Sequence, residues 1–233
     1  MGAGYSPNIT KNGLIWFVDT ANPRSYRGTN KTWYDLKEGA DVALFSANHT
    51  TDYMGGITFN GASDYGVVQG SQGFSLASTG GTIAGVISYT SIPTNNTGWF
   101  SKRITDSSIP YHMGQPNGTT KLRLIANNNT TLVELDSNTQ IGLNTPAIFA
   151  ASFATNGDYK IYINGDLDNS RSGAVTLINN DASIVVADNG ANSTPVGGNQ
   201  NTDCVIYSLQ LYNRVLSPSE VKQNYNAIKS RFR

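Results

Sequence analysis

The sequence contains few charged residues, and the two signs cancel. Of its 233 residues 14% are charged, with 16 Lys and Arg against 16 Asp and Glu, whereas about 25% is usual for a soluble domain. A chain without a basic excess cannot neutralise a phosphate backbone, so we expect no nucleic-acid partner. No apolar run approaches the roughly 20 residues that span a bilayer, so we expect no membrane partner either.

Cysteine and histidine are nearly absent. The single cysteine, Cys204, excludes an internal disulfide and a multi-cysteine zinc site. The two histidines, His49 and His112, stand in polar stretches without a partner at ligand spacing, and we expect both on the surface. The sequence also lacks a Gly-x-Ser-x-Gly motif and a phosphate-binding glycine loop, which are common signatures of acyl transfer and nucleotide binding.

Uncharged polar residues take the place of the missing charge. The chain has 26 Asn, 23 Thr and 22 Ser, while 38% of it is still hydrophobic, which is too apolar for a disordered segment. The pairs Asn156-Gly157 and Asn164-Gly165 are typical of tight hairpin turns. Apolar residues alternate with polar ones, as in strands with one buried face, over 57–60, 82–89, 121–124, 149–153 and 205–211.

One helix is indicated, near the end of the chain. Ser217-Pro218-Ser219-Glu220 forms a capping box with proline at the first helical position. Val221, Tyr225 and Ile228 follow at spacings of four and three, which gives a single apolar stripe. We therefore expect a short helix over 217–230 that covers an otherwise all-β sandwich.

The domain boundaries follow from composition. No linker-like segment divides the chain, so residues 13–233 are expected to form one domain, preceded by an arm of residues 1–12. The arm lacks the basic and apolar regions of a secretory signal. Since Met1 to Asn12 has almost no apolar periodicity, we expect it to contact another protein surface rather than form a core element. The alternative is a frayed terminus, which is the usual state of chain ends.

Three groups of motifs stand out along the chain. They are Gly13–Asp19 with Asn22–Tyr26 and Thr32–Leu36, then Ile57–Tyr65, and then Lys160–Gly165 with Tyr212–Ser217 and the helix to Phe232. Together they resemble a laminin-G-like, concanavalin A-like jelly roll, in the variety found in structural proteins of tailed phages, especially marine phages. The resemblance implies an all-β sandwich of two antiparallel sheets with one short C-terminal helix.

The resemblance also implies a role in a virus particle. The first hypothesis is a non-enzymatic virion structural protein, as a capsid decoration, tail, baseplate or fibre component made in the host cytoplasm. Its expected partners are other virion proteins, through residues 1–12, and further copies of itself in a homo-oligomer. The low charge agrees with this role, because a non-ionic surface is little affected by salt.

The alternative hypothesis is a carbohydrate-binding adhesin that attaches the particle to host glycans. Sugar binding needs an exposed aromatic ring beside polar groups, because a sugar has an apolar face and a polar edge. Trp99, with Asn95 and Asn96 in the preceding loop, is the candidate site. A second interpretation of Trp99 is the first inward residue of a strand.

A glycan hydrolase is the weakest hypothesis. Hydrolysis needs two carboxylates at the scissile bond, and glucanases of the resembled superfamily carry them as Glu-x-Asp-x-(x)-Glu. Glu134 and Asp136 match the first two positions, but the third carboxylate is missing. We therefore expect no catalytic residues and no enzymatic activity.

Calcium is the one cofactor that the sequence leaves open. Many laminin-G-like domains bind it at the rim of the sandwich, and calcium takes six to eight oxygen ligands. The candidates are Asp64, Asp158 and Asp203, with further loop carboxylates at Asp166, Asp168 and Asp188. No spaced pattern selects a set among them, and turns also favour Asp.

Overall fold

The fold is built from short strands joined by turns. The computed structural model of the chain describes residues 8–28, 31–37, 39–155, 157–173, 175–190 and 200–233. The strands are β1 (Leu14–Asp19), β2 (Thr32–Trp33), β3 (Val42–Phe45), β4 (Asn48–Thr50), β5 (Gly56–Asn60), β6 (Tyr65–Val68), β7 (Gly81–Tyr89), β8 (Thr97–Lys102), β9 (Ser108–Gln115), β10 (Arg123–Asn128), β11 (Leu132–Asp136), β12 (Ala147–Phe153), β13 (Asp158–Ile163), β14 (Asp166–Ser172), β15 (Ile184–Val186) and β16 (Asp203–Tyr212). One α-helix, α1 (Pro218–Ile228), follows β16.

Two antiparallel sheets face each other. One has the order β14-β13-β12-β7-β16-β5-β4, and β1 pairs with the C-terminal half of β16. The other has the order β11-β10-β9-β8-β15-β6-β3-β2. We call them the helix-covered sheet and the open sheet. The expected all-β sandwich with one C-terminal helix is confirmed.

Helix α1 gives the helix-covered sheet its name. Ser217 caps the helix through the backbone N–H of Glu220, and the Glu220 side chain accepts from the Ser217 N–H, so the expected capping box is present. Val221 packs with Ala84 and Ala150 on the outer face of this sheet. Since the helix covers this face, all nine residues of β7 are buried rather than every second one.

The core between the sheets contains all three tryptophans, each fully buried. It also buries a charge. Lys102, 0% exposed at the end of β8, donates from Nζ to the carbonyl oxygens of Ser71 (3.0 Å) and Ala182 (2.8 Å). Burial lowers the pKa of Lys102 to about 8, although Asp181 acts in the opposite direction.

The second hairpin turn has the expected geometry. Asn164 and Gly165 join β13 to β14 with φ values of 54° and 84°, a conformation that glycine and asparagine tolerate. Strands β12 and β13 also pair, but Asn156 of the first predicted turn lies outside the described residues.

The end of the predicted arm contacts its own domain. The N–H of Thr10 donates to Oδ1 of Asn224 in α1, its carbonyl oxygen accepts from the hydroxyl of Tyr212, and the carbonyl of Asn8 accepts from Gln223. Residues 8–12 are thus packed on the sandwich. The prediction of contacts with another protein now concerns residues 1–7, which lie outside the described residues.

Candidate functional site

The outer face of the open sheet carries the candidate site. One row of side chains runs in register across all eight strands of this sheet. These side chains point outward, because their neighbours along each strand point into the core. Unlike the helix-covered sheet, this face has no helix of the described chain packed on it. The central row is Glu134, Ile125, His112, Ser101, Val185, Val67, Ala43 and Thr32.

A cleft of about 220 Å³ lies over strands β8 to β11 on this face. Its lining is mixed, with the apolar side chains of Ile109, Ile125 and Leu132 among polar ones. A mixture of this kind suits a ligand that has both apolar and hydrogen-bonding surfaces. The polar residues of the lining are Asn96, Thr97, Arg103, Asp106, His112, Gln115, Arg123, Glu134 and Asn189.

His112 lies buried in this cleft, and the expectation of a surface histidine is wrong for it. The side chain is 4% exposed. The imidazole rests in a space left by two paired glycines, since a Cβ on Gly98 would lie 2.6 Å from its Cε1 and one on Gly114 2.7 Å from its Nε2. His49, in contrast, is exposed on β4 as expected.

A hydrogen-bond chain fixes the protonation of His112. The hydroxyl of Ser101 donates to the carbonyl oxygen of Asn189 (2.7 Å), and Nδ1 of His112 lies 3.1 Å from the same hydroxyl oxygen. Because a carbonyl only accepts, the single hydroxyl proton is used there, and Nδ1 must donate to Ser101. Burial lowers the pKa of His112 to about 3, with smaller contributions from Arg103 and Arg123, so the ring is neutral.

Two arginines line the cleft, and both are paired. Arg123 makes a bidentate contact with Asp136, at 2.6 Å from Nε and 2.9 Å from Nη2, and this contact raises its pKa. Its Nη1 lies 3.8 Å from Oε1 of Glu134. Arg103 donates from Nη1 to Oδ1 of Asn189 (2.7 Å) and from Nη2 to Asp106. The cleft is therefore rich in charged groups but balanced in charge.

Glu134 and Asp136 lie on β11 and point outward on the same face, because Leu135 between them is in the core. The third position of the glucanase pattern falls on Asn138 or Thr139, and the backbone N–H groups of both residues donate to the carboxylate of Asp168 (2.5 and 3.2 Å). The two carboxylates thus lie near the cleft, but that of Asp136 is paired with Arg123.

Trp99 is not the exposed platform that the adhesin hypothesis required. It is 0% exposed, its Nε1 donates to the Tyr89 hydroxyl (3.0 Å), and its ring meets Phe149 edge to face at 5.0 Å. A bulge between Gly98 and Phe100 breaks the alternation of β8, so Trp99 and Phe100 both enter the core. The second interpretation, an inward residue, is confirmed.

The two asparagines before Trp99 are exposed, and they differ. Asn96 lines the cleft, where its Oδ1 accepts from the backbone N–H of Asn117 (3.0 Å) and from Nη1 of Arg123 (3.5 Å). Asn95 is not part of the cleft lining. The carbohydrate role of both residues stays a prediction.

A stacked aromatic pair with one exposed ring lies elsewhere on the same face. Phe45 of β3 and Tyr65 of β6 are opposite each other, with ring centroids 4.5 Å apart and planes 14° apart. Phe45 is 42% exposed. The sequence did not lead to a prediction of this pair. The alternation in β3 could have located Phe45, since Val42 and Leu44 point inward and Phe45 therefore points outward.

A larger cavity of about 680 Å³ lies toward the β2 edge. Arg24, Arg27, Tyr34 and Gln69 line it together with Asp35. The carboxylate of Asp35 has a structural role, because it accepts four backbone N–H groups at 2.9 to 3.2 Å and thereby shapes the 35–40 loop.

Two of the three predicted calcium ligands lie beside the same residue. Asp64 accepts from the Asn60 N–H (3.2 Å), and Asn60 pairs with Asp203, whose carboxylate accepts from the Thr90 hydroxyl. Asp158 lies on β13 and contacts Ser172 (2.9 Å). In the described part of the chain, no three His, Cys, Asp or Glu side chains are grouped as a metal site. Calcium binding stays a prediction.

The other three aspartates are engaged in separate contacts. Asp166 pairs with Lys222, Asp168 accepts from Asn138, and Asp188 accepts from the N–H of Gly190.

In the described ranges, no helix is long and apolar enough to cross a membrane.

The comparisons with known proteins agree with the architecture. The family model Laminin_G_3, described as the concanavalin A-like lectin/glucanases superfamily, matches residues 60–222. Since this match covers more than half of the 233 residues, the chain belongs to that superfamily. The laminin-G-like resemblance is thereby confirmed, while the phage variety of it stays a prediction. No match was found among curated proteins.

Solved structures share the fold at low sequence identity. They include a Trypanosoma rangeli sialidase in complex with sialic acid (TM-score 0.68, 15% identity, 99% of this chain and 35% of that one). The receptor-binding domain of botulinum neurotoxin C/D mosaic serotype has a TM-score of 0.67 and 16% identity, covering 91% of this chain and 51% of that one. The binding domain of Paraclostridial mosquitocidal protein 1 has a TM-score of 0.71 and 13% identity, covering 92% and 52%. Such identities establish the fold alone, and this chain spans between 35% and 52% of those chains.

Proposed function

We propose that this chain is a non-catalytic carbohydrate-binding domain that holds its ligand in the cleft on the open sheet. The observation that carries the proposal is the pairing of the cleft's polar groups. Asn96, Arg123 and Asp136 are joined by hydrogen bonds before any ligand arrives. Groups fixed in this way lose little conformational freedom on binding, which favours affinity.

The rest of the face supports the same function. A sugar ring presents an apolar face and a polar edge, and aromatic side chains bind the apolar face. The exposed ring of Phe45, stacked on the half-buried Tyr65, lies on the sheet that also carries the polar cleft. The receptor-binding and binding domains that share the fold are consistent with a recognition role.

The arrangement of the acids supports a non-catalytic role. Glycoside hydrolysis needs one carboxyl group that donates a proton and a second that attacks or activates water. Both oxygens of Asp136 accept from Arg123, and positions 138 and 139 carry Asn and Thr instead of the third carboxylate. The two acids that line the cleft itself, Glu134 and Asp106, each lie beside an arginine, Arg123 and Arg103.

The virion assignment is independent of this site. Binding host glycans is one task of a particle-borne adhesin, so the two hypotheses are compatible. The position in a particle, the partners and the homo-oligomer stay predictions from the resemblance.

A glycan array with a matched pair of variants tests the function. Wild-type protein should bind a subset of glycans without releasing reducing ends. Asn96→Ala should weaken binding about tenfold because it removes an amide that can donate from Nδ2 to a ligand while its Oδ1 holds Arg123 and the Asn117 N–H in place. Asn95→Ala, one residue outside the cleft, should not. An array without any bound glycan, equal losses in both variants, or turnover that Glu134→Gln abolishes would each overturn the proposal.

A further inference from the structure

The cleft contains one hydrogen-bond acceptor whose direction is set by the protein. Nδ1 of His112 donates to the Ser101 hydroxyl, which donates to the Asn189 carbonyl, so Nε2 carries no proton. Among the described residues, no hydrogen bond reaches Nε2. His112 is only 4% exposed, but its side chain lines the cleft.

We propose that Nε2 of His112 accepts a hydrogen bond from a hydroxyl group of the bound ligand, so that the cleft selects a neutral sugar over a carboxylated or sulfated one at this position. This inference rests on the proposed carbohydrate-binding function and names the ligand class for that same site. An acceptor that a bound ligand shields from water discriminates between ligands, because a ligand without a donor leaves it unsatisfied.

An anionic group fits Nε2 poorly. A carboxylate or a sulfate has no proton to offer Nε2, and its lone pairs would face the lone pair of the imidazole. The positive charges nearby are already met by acids of the protein, since Asp136 accepts from Nε and Nη2 of Arg123, Glu134 lies 3.8 Å from its Nη1, and Asp106 accepts from Nη2 of Arg103.

A cationic donor fits less well than a hydroxyl. An ammonium group could donate to Nε2, but it would lie beside the guanidinium groups of Arg103 and Arg123, both close enough to act on the imidazole. A neutral hydroxyl meets the acceptor without that repulsion. The ligand group is therefore defined by two conditions, the ability to donate and the absence of charge.

The first test measures the tautomer without a ligand. The chain has two histidines, so ¹⁵N spectra of the imidazoles are simple to assign with the variant His49→Gln. We expect His112 in the wild type at pH 7 to be protonated at Nδ1 and unprotonated at Nε2. Ser101→Ala removes the acceptor of Nδ1–H and should shift this signature toward a mixture of tautomers. A wild-type His112 protonated at Nε2 overturns the inference.

The second test measures selectivity. Wild type and His112→Phe are titrated with an array-positive neutral oligosaccharide and with its uronic acid and sulfated counterparts. We expect the wild type to bind the neutral ligand at least tenfold more tightly, and His112→Phe to lose about tenfold for that ligand only. Equal binding of the acidic ligands, or an unchanged affinity in a folded His112→Phe, overturns the inference alone. Absence of any glycan binding by the wild type overturns the proposed function and the ligand assignment with it.

Discussion

The buried imidazole of His112 makes the stability of the domain depend on pH in a predictable direction. Its pKa falls from an ordinary 6.5 to about 3 because the folded protein buries it. Between these two values the unfolded chain binds a proton that the folded chain does not, so folding stability must fall as the pH falls. The charged groups around the ring are Arg103, Arg123, Asp106 and Glu134.

The size of the effect follows from the two pKa values. The proton linkage is almost absent at pH 7 and reaches about 2 kcal/mol at pH 5, at about 1.4 kcal/mol for each pKa unit. A non-titrating variant, His112→Gln, keeps a donor for the Ser101 hydroxyl and loses this term. We therefore expect the free energy of unfolding of the wild type, relative to His112→Gln, to drop by about 2 kcal/mol between pH 7 and pH 5.

Urea unfolding followed by tryptophan fluorescence measures the difference, since all three tryptophans are buried in the core. The slope with urea should be equal for the two proteins, so that midpoints compare directly. His49→Gln removes the other, exposed histidine and should leave the difference between wild type and His112→Gln in place when added to both. Parallel stability curves of the wild type and His112→Gln across this range would refute the burial argument.

Three further predictions concern other parts of the fold. Lys102→Met removes an amine whose pKa is lowered from 10.5 to about 8. Between these values the unfolded chain binds a proton that the folded chain does not, so the free energy of unfolding of the wild type relative to this variant should rise by about 2 kcal/mol from pH 8 to pH 10. A constant difference over this range would contradict the prediction. Phe45→Ala should weaken glycan binding about threefold to tenfold, whereas Leu167→Ala, an exposed apolar residue of the other sheet, should not, and equal effects would remove Phe45 from the site. Arg214→Met should lower the free energy of unfolding by about 1 kcal/mol above pH 4.5. The wild type should lose this advantage as the pH falls toward the pKa of Glu220, which the hydrogen bond from Arg214 lowers to about 2. Thermal melts of both proteins at pH 7 and pH 3 measure the difference.

Local signals in the sequence predicted the local structure well. Alternation located β5, β7, β12 and β16, because each side chain's direction depends only on its own strand. The capping box at Ser217 gave the start of α1, since its two hydrogen bonds lie within one turn. The Asn164-Gly165 turn belongs to the same class of signal, because two residues with positive φ suffice.

The candidate site could not be predicted in this way, since its features depend on pairs of strands. The inward position of Trp99 results from a bulge that exists only in the pairing of β8 with β9. The burial of His112 requires Gly98 opposite Gly114 and a carbonyl from Asn189, which is far along the chain. Neither arrangement has a periodic signature in one segment.

The near-zero charge of the sequence has a local counterpart in the cleft. Arg123 faces Asp136 and Glu134, and Arg103 faces Asp106, so each guanidinium is balanced by an acid on a neighbouring strand or turn. A site of this kind gains little from long-range attraction of charged ligands, but it holds hydrogen-bonding groups in fixed directions. Such a site discriminates by the positions of donors and acceptors, and the protein sets the direction of the His112 acceptor through the tautomer. The same balance explains why charge counting predicted no nucleic-acid partner and yet could not locate the site.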